Sequence, residues 1–333
     1  MSEFRRIGIL GAGAWGTALA NACTRAGRRV TLYDSDLTVL AEIKKSHTNS
    51  TRLPGIPVEA AVTVEASLEK AAAQDVLLLV VPTQHFRELV TKLAPLVAPS
   101  IPLVACAKGI ERETGNFVTE IISDAIPGAI TAIISGPSFA IDVAKGLPAA
   151  VTVAARDERL ARALAESLSS PTFRLYHSTD VRGAEIGGAA KNVLAVAAGI
   201  VAGRELGASA QAALIARGFA ELARFGRAYG AKPETLMGLS GLGDLILTCS
   251  SAQSRNYAFG LAIGRNQAPA QSGGGKLTEG AFTASILMQM ARAKGIDMPI
   301  AEAVDDVLAG RLTVEDAITR LLSRPMGAEV WSS

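Results

Sequence analysis

The stretch that decides the fold is Ile7-Gly8-Ile9-Leu10-Gly11-Ala12-Gly13-Ala14-Trp15-Gly16. A short apolar run typical of a buried strand leads directly into a glycine-rich turn, and an apolar run with helical spacing follows it. In this pattern Gly11 permits a tight turn, Gly13 lets a phosphate approach the backbone, and Gly16 lets helix and strand pack closely. The stretch predicts a strand, a turn and a helix whose N-terminus faces a dinucleotide pyrophosphate. A glycine-rich turn without a ligand is the competing interpretation.

Outward from this unit, short apolar strands alternate with helices as far as residue 178. Such alternation predicts an α/β fold with a doubly wound, Rossmann-like parallel sheet. The predicted strands are 7–10, 30–33, 76–81, 103–105, 130–134, 149–153 and 173–176. The predicted helices are 14–26, 37–45, 68–73, 84–96, 117–125 and 158–168.

Beyond residue 178 the sequence consists almost entirely of helix formers, which predicts an all-α C-terminal domain. Thr313 is a candidate N-cap for the last helix, and segment 266–275 is expected to form a surface loop. We therefore expect a dinucleotide-binding domain over 1–178 and a helical substrate-binding domain over 179–333, with a ligand in the cleft between them. The predicted helices of the second domain are 184–202, 208–229, 256–264, 282–294, 300–309 and 314–322.

Length, composition and charge limit the classes of function that the protein can have. The chain has 333 residues, 49% of them hydrophobic, and 33 basic against 31 acidic side chains. This length suggests two domains, and the near-neutral balance argues against a nucleic-acid or membrane-surface partner. No apolar run reaches the roughly 18 residues of a spanning helix, and the N-terminus carries no targeting signal. We expect a soluble protein.

The cysteines and histidines are few and scattered. The three cysteines, at positions 23, 106 and 249, show no metal-ligand or disulfide spacing, and His47, His85 and His177 form no recognisable ligand pair. The sequence predicts no metal site and a reducing, cytoplasmic compartment.

Asp34 ends the second predicted strand, where a carboxylate accepts hydrogen bonds from the adenosine ribose of a bound dinucleotide. A carboxylate there repels the 2′-phosphate of NADP, and Ser35 supplies no cation to pair with that phosphate. The pair favours NAD over NADP. An ordinary turn or capping aspartate is the alternative interpretation.

A lysine lies on a face of small residues in Ala184-Glu185-Ile186-Gly187-Gly188-Ala189-Ala190-Lys191-Asn192. Helical spacing places Gly187 and Gly188 on the face of Lys191, so that a backbone or a ligand can approach closely. An ammonium group buried in such a helix is costly without a partner, which favours a functional role. A snorkelling surface lysine is the alternative.

Glycines also flank a single carboxylate in Gly238-Leu239-Ser240-Gly241-Leu242-Gly243-Asp244. Further on, Ser254 can cap a helix that begins at Arg255 and continues through Asn256. A helix N-terminus with an adjacent arginine suits a phosphate, although plain capping with a solvated arginine is equally compatible.

Two further segments directly follow strands, at the sheet edge where ligands of such folds bind. They are Cys106-Ala107-Lys108-Gly109 and Gly136-Pro137-Ser138-Phe139-Ala140.

Together these motifs resemble the bacterial NAD(P)-dependent glycerol-3-phosphate dehydrogenase family. The resemblance covers essentially the whole chain through collinear matches: GAGAWGTALA at 11–20, NSTRLPG at 49–55, VPTQ at 81–84, AKGIE at 107–111, SGPSFA at 135–140, KNVLAVAAGI at 191–200, GLGDLILTCSS at 241–251, SRN at 254–256 and EG at 279–280.

The resemblance implies an oxidoreductase of phospholipid biosynthesis that interconverts dihydroxyacetone phosphate and sn-glycerol 3-phosphate. It implies Lys191 as the catalytic residue. The implied substrate-site residues are Lys108, Gly136, Ser138, Lys191, Asp244, Ser254, Arg255 and Asn256. The implied cofactor-site residues are Gly11, Gly13, Ala14, Trp15, Gly16, Lys108, Ala140, Arg255, Leu277 and Glu279, to which the end of the second predicted strand adds Asp34 and Ser35. Two departures stand out: Ala14 replaces a common serine, and Asp34-Ser35 replaces a small residue followed by Arg or His, which again favours NAD.

For the reaction we expect Lys191 to protonate the alkoxide that develops when hydride adds to the ketone, with Asp244 orienting Lys191 and Lys108 orienting the oxygen. A dehydrogenase of a 3-hydroxy acid or a sugar acid stays open as an alternative, as does a nicotinamide-sensing binding protein without turnover. An alanine-rich helical domain is compatible with a homodimer.

Overall fold

The computed structural model describes residues 4–267 and 278–325. The chain divides into two compact units, the first formed by Met1–Lys108 and Asn116–Glu185, the second by Gly109–Gly115 and Ile186–Ser333. The division therefore falls inside a helix rather than after residue 178. The assignment of 109–115 to the helical unit was not predicted, and in that unit the Arg112 guanidinium lies 5.1 Å from the ring centre of Phe282.

The first unit is built on one eight-stranded sheet in the spatial order β3-β2-β1-β4-β5-β6-β7-β8. Its strands β1 to β8 are Arg6–Leu10, Arg29–Tyr33, Thr63–Val64, Val76–Leu79, Leu103–Ala105, Thr131–Ser135, Ala149–Ala155 and Phe173–Ser178. The order reverses between β1 and β4, as in a doubly wound fold, which confirms the predicted class.

The sheet departs from the prediction in two places. β6 and β7 pair antiparallel, whereas all other neighbouring strands pair parallel. The connection between β6 and β7 carries only a five-residue helix, and antiparallel neighbours need no crossover of the sheet. The strand β3 was missed because two residues show no periodicity.

Helices cover both faces of this sheet. Every residue of β4 is fully buried, and the same holds for the last residues of β1, which explains why these strands read as continuous apolar runs. The helices α1 to α7 are Ala14–Arg25, Leu37–Ser46, Leu68–Ala72, Phe86–Leu93, Val118–Ala125, Ala140–Ala144 and Glu158–Leu168, and a 3-10 turn, Thr83–His85, precedes α4.

The described part of the second unit is helical, as predicted. The helices α8 to α15 are Val181–Gly203, Ala208–Ala228, Pro233–Met237, Asp244–Cys249, Arg255–Gly264, Glu279–Ala293, Pro299–Leu308 and Val314–Leu322. The short helices α10 and α11, and the π-helical turn Leu239–Gly243 between them, were not predicted. Thr313 caps α15, since its Oγ1 accepts a hydrogen bond from Asp316 N at 3.1 Å. Of the predicted loop 266–275, residues 268–275 lie outside the described residues.

Contrary to the expectation that no apolar run is long enough, helix α8 could span a membrane by length and composition, yet 89% of its most apolar window is buried. Neighbouring backbone lies directly against its glycines. A Cβ added at Gly199 would lie 2.1 Å from Tyr257 O, and one added at Gly203 would lie 2.5 Å from Leu261 O. Close packing against α12 therefore accounts for both the small residues and the apolar character of α8.

Candidate active site

The glycine-rich turn follows β1 at the point where the strand order reverses. Gly11 has φ +118°, and a Cβ there would lie 2.3 Å from Val80 O. A Cβ at Gly16 would lie 1.8 Å from Gly11 O, so helix and turn touch through this glycine. Around Gly13, in contrast, no atom lies within 4 Å of an added Cβ. The fold itself thus requires Gly11 and Gly16, while Gly13 leaves open space at the N-terminus of α1, which fits a dinucleotide pyrophosphate.

Asp34 lies against this turn. Its Oδ2 accepts a hydrogen bond from Ala12 N at 2.5 Å, and its Oδ1 accepts one from Asp36 N at 2.9 Å. Ser35 is exposed. The carboxylate at the end of β2 is therefore fixed in place, and each oxygen has one lone pair left for a ribose hydroxyl.

Other predicted cofactor residues lie in the same unit. Ala14 and Trp15 open α1, and Ala140 opens α6; all three pack against the core on one face of the sheet. The Trp15 ring meets the Phe173 ring edge-on, with 6.3 Å between centroids. This contact fixes the indole where α1 begins.

Lys108, Gly136 and Ser138 come together as predicted for segments that follow neighbouring strands. Lys108 Nζ donates to Gly136 O at 2.8 Å, and Ser138 Oγ donates to the same oxygen at 3.1 Å. Gly136 has φ +143°, and a Cβ there would lie 2.9 Å from Val151 Cα, so glycine is required. An ammonium and a hydroxyl thus meet at the carboxyl ends of β5 and β6.

In the second unit Lys191 and Asp244 form a buried ion pair. Lys191 Nζ donates to Asp244 Oδ1 at 2.5 Å, and the side chains are 8% and 1% exposed. Lys191 Nζ also donates to Thr248 Oγ1 at 2.7 Å. Sequence reasoning missed Thr248, because its place one turn after Asp244 depends on helix α11, which was not predicted. The snorkelling interpretation of Lys191 is wrong, because its ammonium group is buried and paired.

Two glycines near this pair allow backbone segments to pack closely, rather than leaving space for a ligand. A Cβ at Gly187 would lie 2.3 Å from Ser240 O, and one at Gly241 would lie 1.9 Å from Leu236 O. Backbone from the π-helical turn occupies the small-residue face of α8 at Gly187. The close approach sets Asp244, the first residue of α11, within reach of Lys191.

Ser254, Arg255 and Asn256 form the start of α12. Ser254 Oγ accepts a hydrogen bond from Tyr257 N at 3.3 Å, which confirms the predicted cap. The Arg255 side chain is exposed, without a hydrogen bond or ion pair among the described residues. The N-terminus of a ten-residue helix beside an exposed guanidinium is suited to an anion.

Asn256 differs from its neighbours because its side-chain amide forms hydrogen bonds within the protein. Its Nδ2 donates to Asn192 Oδ1 at 2.9 Å, and its Oδ1 accepts from Gly280 N at 2.9 Å. Asn256 therefore links α8, α12 and α13 and holds Glu279 at the start of α13. The predicted cofactor residue Leu277 lies outside the described residues.

The cysteine side chains lie in the interior of the protein. Cys23, Cys106 and Cys249 are buried and free, and burial raises the pKa of the Cys23 and Cys249 thiols to about 12. Across residues 4–267 and 278–325 there is no group of three or more His, Cys, Asp or Glu side chains that could hold a metal ion.

Comparison with known proteins covers both units. The family profile of the NAD-dependent glycerol-3-phosphate dehydrogenase N-terminus matches residues 6–161, and that of the C-terminus matches residues 180–319. The chain is 62% identical to an Azorhizobium caulinodans protein and 60% identical to a Bradyrhizobium one, each match covering 99% of this chain and 100% of the relative; both relatives are named glycerol-3-phosphate dehydrogenase, NAD(P)+. The solved glycerol-3-phosphate dehydrogenase of Coxiella burnetii matches with a TM-score of 0.91 at 36% identity, over 96% of this chain and 99% of that chain.

A doubly wound sheet with a glycine-rich turn at its switch point, joined to a helical unit with a buried lysine, defines the class of two-domain nicotinamide-dependent dehydrogenases. Within that class, the chain belongs to the NAD-dependent glycerol-3-phosphate dehydrogenase family. This assignment disfavours the hydroxy-acid and non-enzymatic alternatives.

Proposed function

We propose that the protein reduces dihydroxyacetone phosphate to sn-glycerol 3-phosphate, and catalyses the reverse oxidation, with a nicotinamide dinucleotide. The observation that carries the proposal is the Lys191–Asp244 pair in a chain whose relatives, at about 60% identity, are named for this activity. A buried ammonium held by a carboxylate is a built proton donor rather than a surface charge.

The proposed chemistry needs a proton at one oxygen. When bound, a dihydronicotinamide would supply the hydride for the ketone carbon. As the carbonyl π pair moves onto oxygen, Lys191 Nζ gives that oxygen a proton, and in the oxidation direction the neutral amine takes the hydroxyl proton back. Asp244 and Thr248 hold Nζ through bonds of 2.5 and 2.7 Å, so the donor is positioned before the substrate arrives. Lys108 orients the same oxygen.

We propose that the phosphate of the substrate binds at the start of α12. Arg255 offers there a guanidinium that has no hydrogen bond or ion pair within the described part of the chain, and the N–H groups of the first helical turn point the same way as the helix dipole. Ser254 and Asn256 shape this end of the helix, and Gly136 and Ser138 complete the substrate site in the proposal.

The dinucleotide would be held by the turn from Gly11 to Gly16 and by Asp34, with Ser35, Ala140 and Glu279 as further contacts. We propose a preference for NAD over NADP. Asp34 presents a fixed carboxylate where NADP would carry its 2′-phosphate, and the backbone N–H of Asp36 helps to hold it through a 2.9 Å hydrogen bond to Oδ1. The guanidinium of Arg52 lies 3.7 Å from the carboxylate of Asp36, and the negative charge of Asp36 offsets the positive charge of Arg52.

In the cell, we propose a cytoplasmic enzyme that supplies glycerol 3-phosphate for phospholipid biosynthesis, with neither a nucleic-acid partner nor an integral membrane segment. Free buried cysteines support a reducing compartment. A homodimer is proposed on the exposed alanines of α9, namely Ala212, Ala213 and Ala216, and sedimentation velocity tests it.

One set of assays tests substrate and cofactor together. We expect rapid oxidation of NADH with dihydroxyacetone phosphate, and a kcat/KM at least a hundredfold lower with dihydroxyacetone, because the phosphate contacts are lost. Equal activity with both ketones would contradict the phosphate site. Stronger activity with NADPH than with NADH would contradict the role of Asp34.

A further inference from the structure

Asn49 lies in the segment 49–55 that sequence analysis singled out without a role, and it touches the glycine-rich turn from behind. The side chain is completely buried. Its Nδ2 donates two hydrogen bonds, one to Ala12 O and one to Thr17 Oγ1, each at 2.8 Å. One amide group thus joins the turn to the first coil of α1.

The bond to Ala12 O fixes the direction of a peptide group. Ala12 C=O and Gly13 N–H belong to the same planar trans peptide and therefore point in opposite directions. Because Asn49 holds the C=O from the protein interior, the Gly13 N–H is turned away from it. The preceding peptide is held as well, since Ala12 N donates to Asp34 Oδ2 at 2.5 Å. The orientation of both peptides is set before any ligand binds.

Asn21 is a second buried asparagine, and the contacts of its amide are purely structural. Asn21 is equally buried and ties α1 to the same stretch of chain, through Nδ2 to Pro57 O and from Glu59 N to Oδ1, both at 2.9 Å. Both ends of the Asn21 amide are satisfied. For Asn49, in contrast, no hydrogen-bond donor to the buried Oδ1 is found among residues 4–267 and 278–325. An unsatisfied buried oxygen is unfavourable for stability, so the donors of Asn49 are the reason for its presence.

We infer that Asn49 is a positioning residue for the dinucleotide: by holding Ala12 C=O it aims the Gly13 N–H at the pyrophosphate, into the open space around Gly13. The inference rests on the proposed binding of a nicotinamide dinucleotide at this turn. It predicts that loss of the Asn49 donors weakens dinucleotide binding more than an equally destabilising substitution within α1 does.

The experiment compares Asn49→Ala, Asn49→Asp and the matched control Asn21→Ala. Asn49→Asp keeps the size of the side chain and loses the amide donors. The dissociation constant of NADH is measured by fluorescence titration without substrate, together with KM for NADH, kcat and the melting temperature. We expect both Asn49 variants to raise the NADH dissociation constant and KM at least tenfold, with kcat within threefold of wild type. Asn21→Ala should lower the melting temperature and leave the NADH dissociation constant within twofold.

Equal changes in NADH binding for Asn49→Ala and Asn21→Ala, or no change in either Asn49 variant, would overturn the inference. If both Asn49 variants fail to fold while Asn21→Ala folds, Asn49 is a structural residue and the inference is also wrong. A wild-type protein that does not bind NADH at all would instead overturn the proposed function, so the two failures are distinguishable.

Discussion

Lys191 Nζ and Asp244 Oδ1 are 2.5 Å apart inside the helical unit, although 53 residues of sequence separate them. Both side chains are buried, and removal of one partner of such a pair leaves a charge without water or counter-charge. The two residues therefore act as one unit. Changes at Asp244 should affect both the proton chemistry of Lys191 and the stability of the fold.

The first prediction concerns the carboxylate. Asp244→Asn keeps the shape of the side chain and removes its charge, so the Lys191 ammonium loses its counter-ion. We expect kcat to fall by about 10²- to 10⁴-fold, the typical contribution of a positioned proton donor, and the pH profile of kcat to move. Steady-state assays from acid to alkaline pH measure both effects.

Thr248→Val is the companion variant, because it removes only the hydroxyl that accepts from Lys191 at 2.7 Å. A neutral hydrogen bond contributes about 1 kcal/mol, roughly a fivefold effect. We expect a loss of that size in kcat. If Thr248→Val were as damaging as Asp244→Asn, charge would not be what Asp244 contributes.

The second prediction concerns the phosphate. Arg255→Gln removes the exposed guanidinium at the start of α12, and a charge-assisted hydrogen bond contributes about 1.5–3 kcal/mol. We expect KM for dihydroxyacetone phosphate to rise about 10- to 100-fold on that basis. Arg265→Gln is the matched control, since this exposed arginine lies at the other end of the same helix. An equal rise in KM for both variants would point to a general charge effect rather than a phosphate site.

The third prediction concerns the cofactor. In the double variant Asp34→Ser, Ser35→Arg, the carboxylate that repels a 2′-phosphate is replaced and a cation is added. We expect the ratio of NADPH to NADH affinity to rise at least tenfold, as measured by fluorescence titration. The Asp34→Asn variant alone should lie between this double variant and wild type. A ratio that does not move in either variant would show that Asp34 does not discriminate between the cofactors.

The fourth prediction concerns stability and pH. Glu221 in α9 is buried, and its carboxylate accepts from Ile300 N at 2.7 Å and from Ala301 N at 3.1 Å at the start of α14. Burial raises the pKa of this carboxyl from 4.5 to about 7, and the two N–H donors only partly oppose that effect. Between these values the native state keeps a proton that the unfolded chain has released. The free energy of unfolding should therefore decrease as pH rises through this window.

Urea denaturation at about pH 5 and about pH 8 measures this decrease. Glu221→Gln has no proton to release and should show a smaller decrease than wild type. Part of the pH dependence should persist, because burial also raises the pKa of Glu185 to about 7. An unchanged pH dependence in Glu221→Gln would contradict the assignment.

Much of the fold follows from local sequence patterns. Buried strands such as 76–79 are recognisable as apolar runs, and the capping residues Ser254 and Thr313 indicate where their helices begin. The antiparallel pairing of β6 with β7 could not be predicted, because strand direction depends on where the connecting chain packs. Helix α11 was missed since its six residues are too few for a helical period.

The candidate site divides in the same way. Lys191 and Asp244 are conspicuous in sequence, because charges among glycines and alanines need a reason. Asn49 and Thr248 are not conspicuous in the sequence. Each is an ordinary polar residue whose role depends on contacts with residues that lie far from it in sequence or one helical turn away. The function of Gly187 was misjudged for a related reason, since the backbone that fills its space comes from residues 240 and 241.

The central claim is that Lys191 moves the proton while the dinucleotide is held by other residues. The most direct measurement is kcat of Lys191→Ala with NADH and dihydroxyacetone phosphate, together with the dissociation constant of NADH for the same variant. We predict that turnover is abolished while NADH affinity stays nearly unchanged. Turnover above about a tenth of the wild-type rate would contradict the claim, because loss of a proton donor should lower the rate at least 10²-fold.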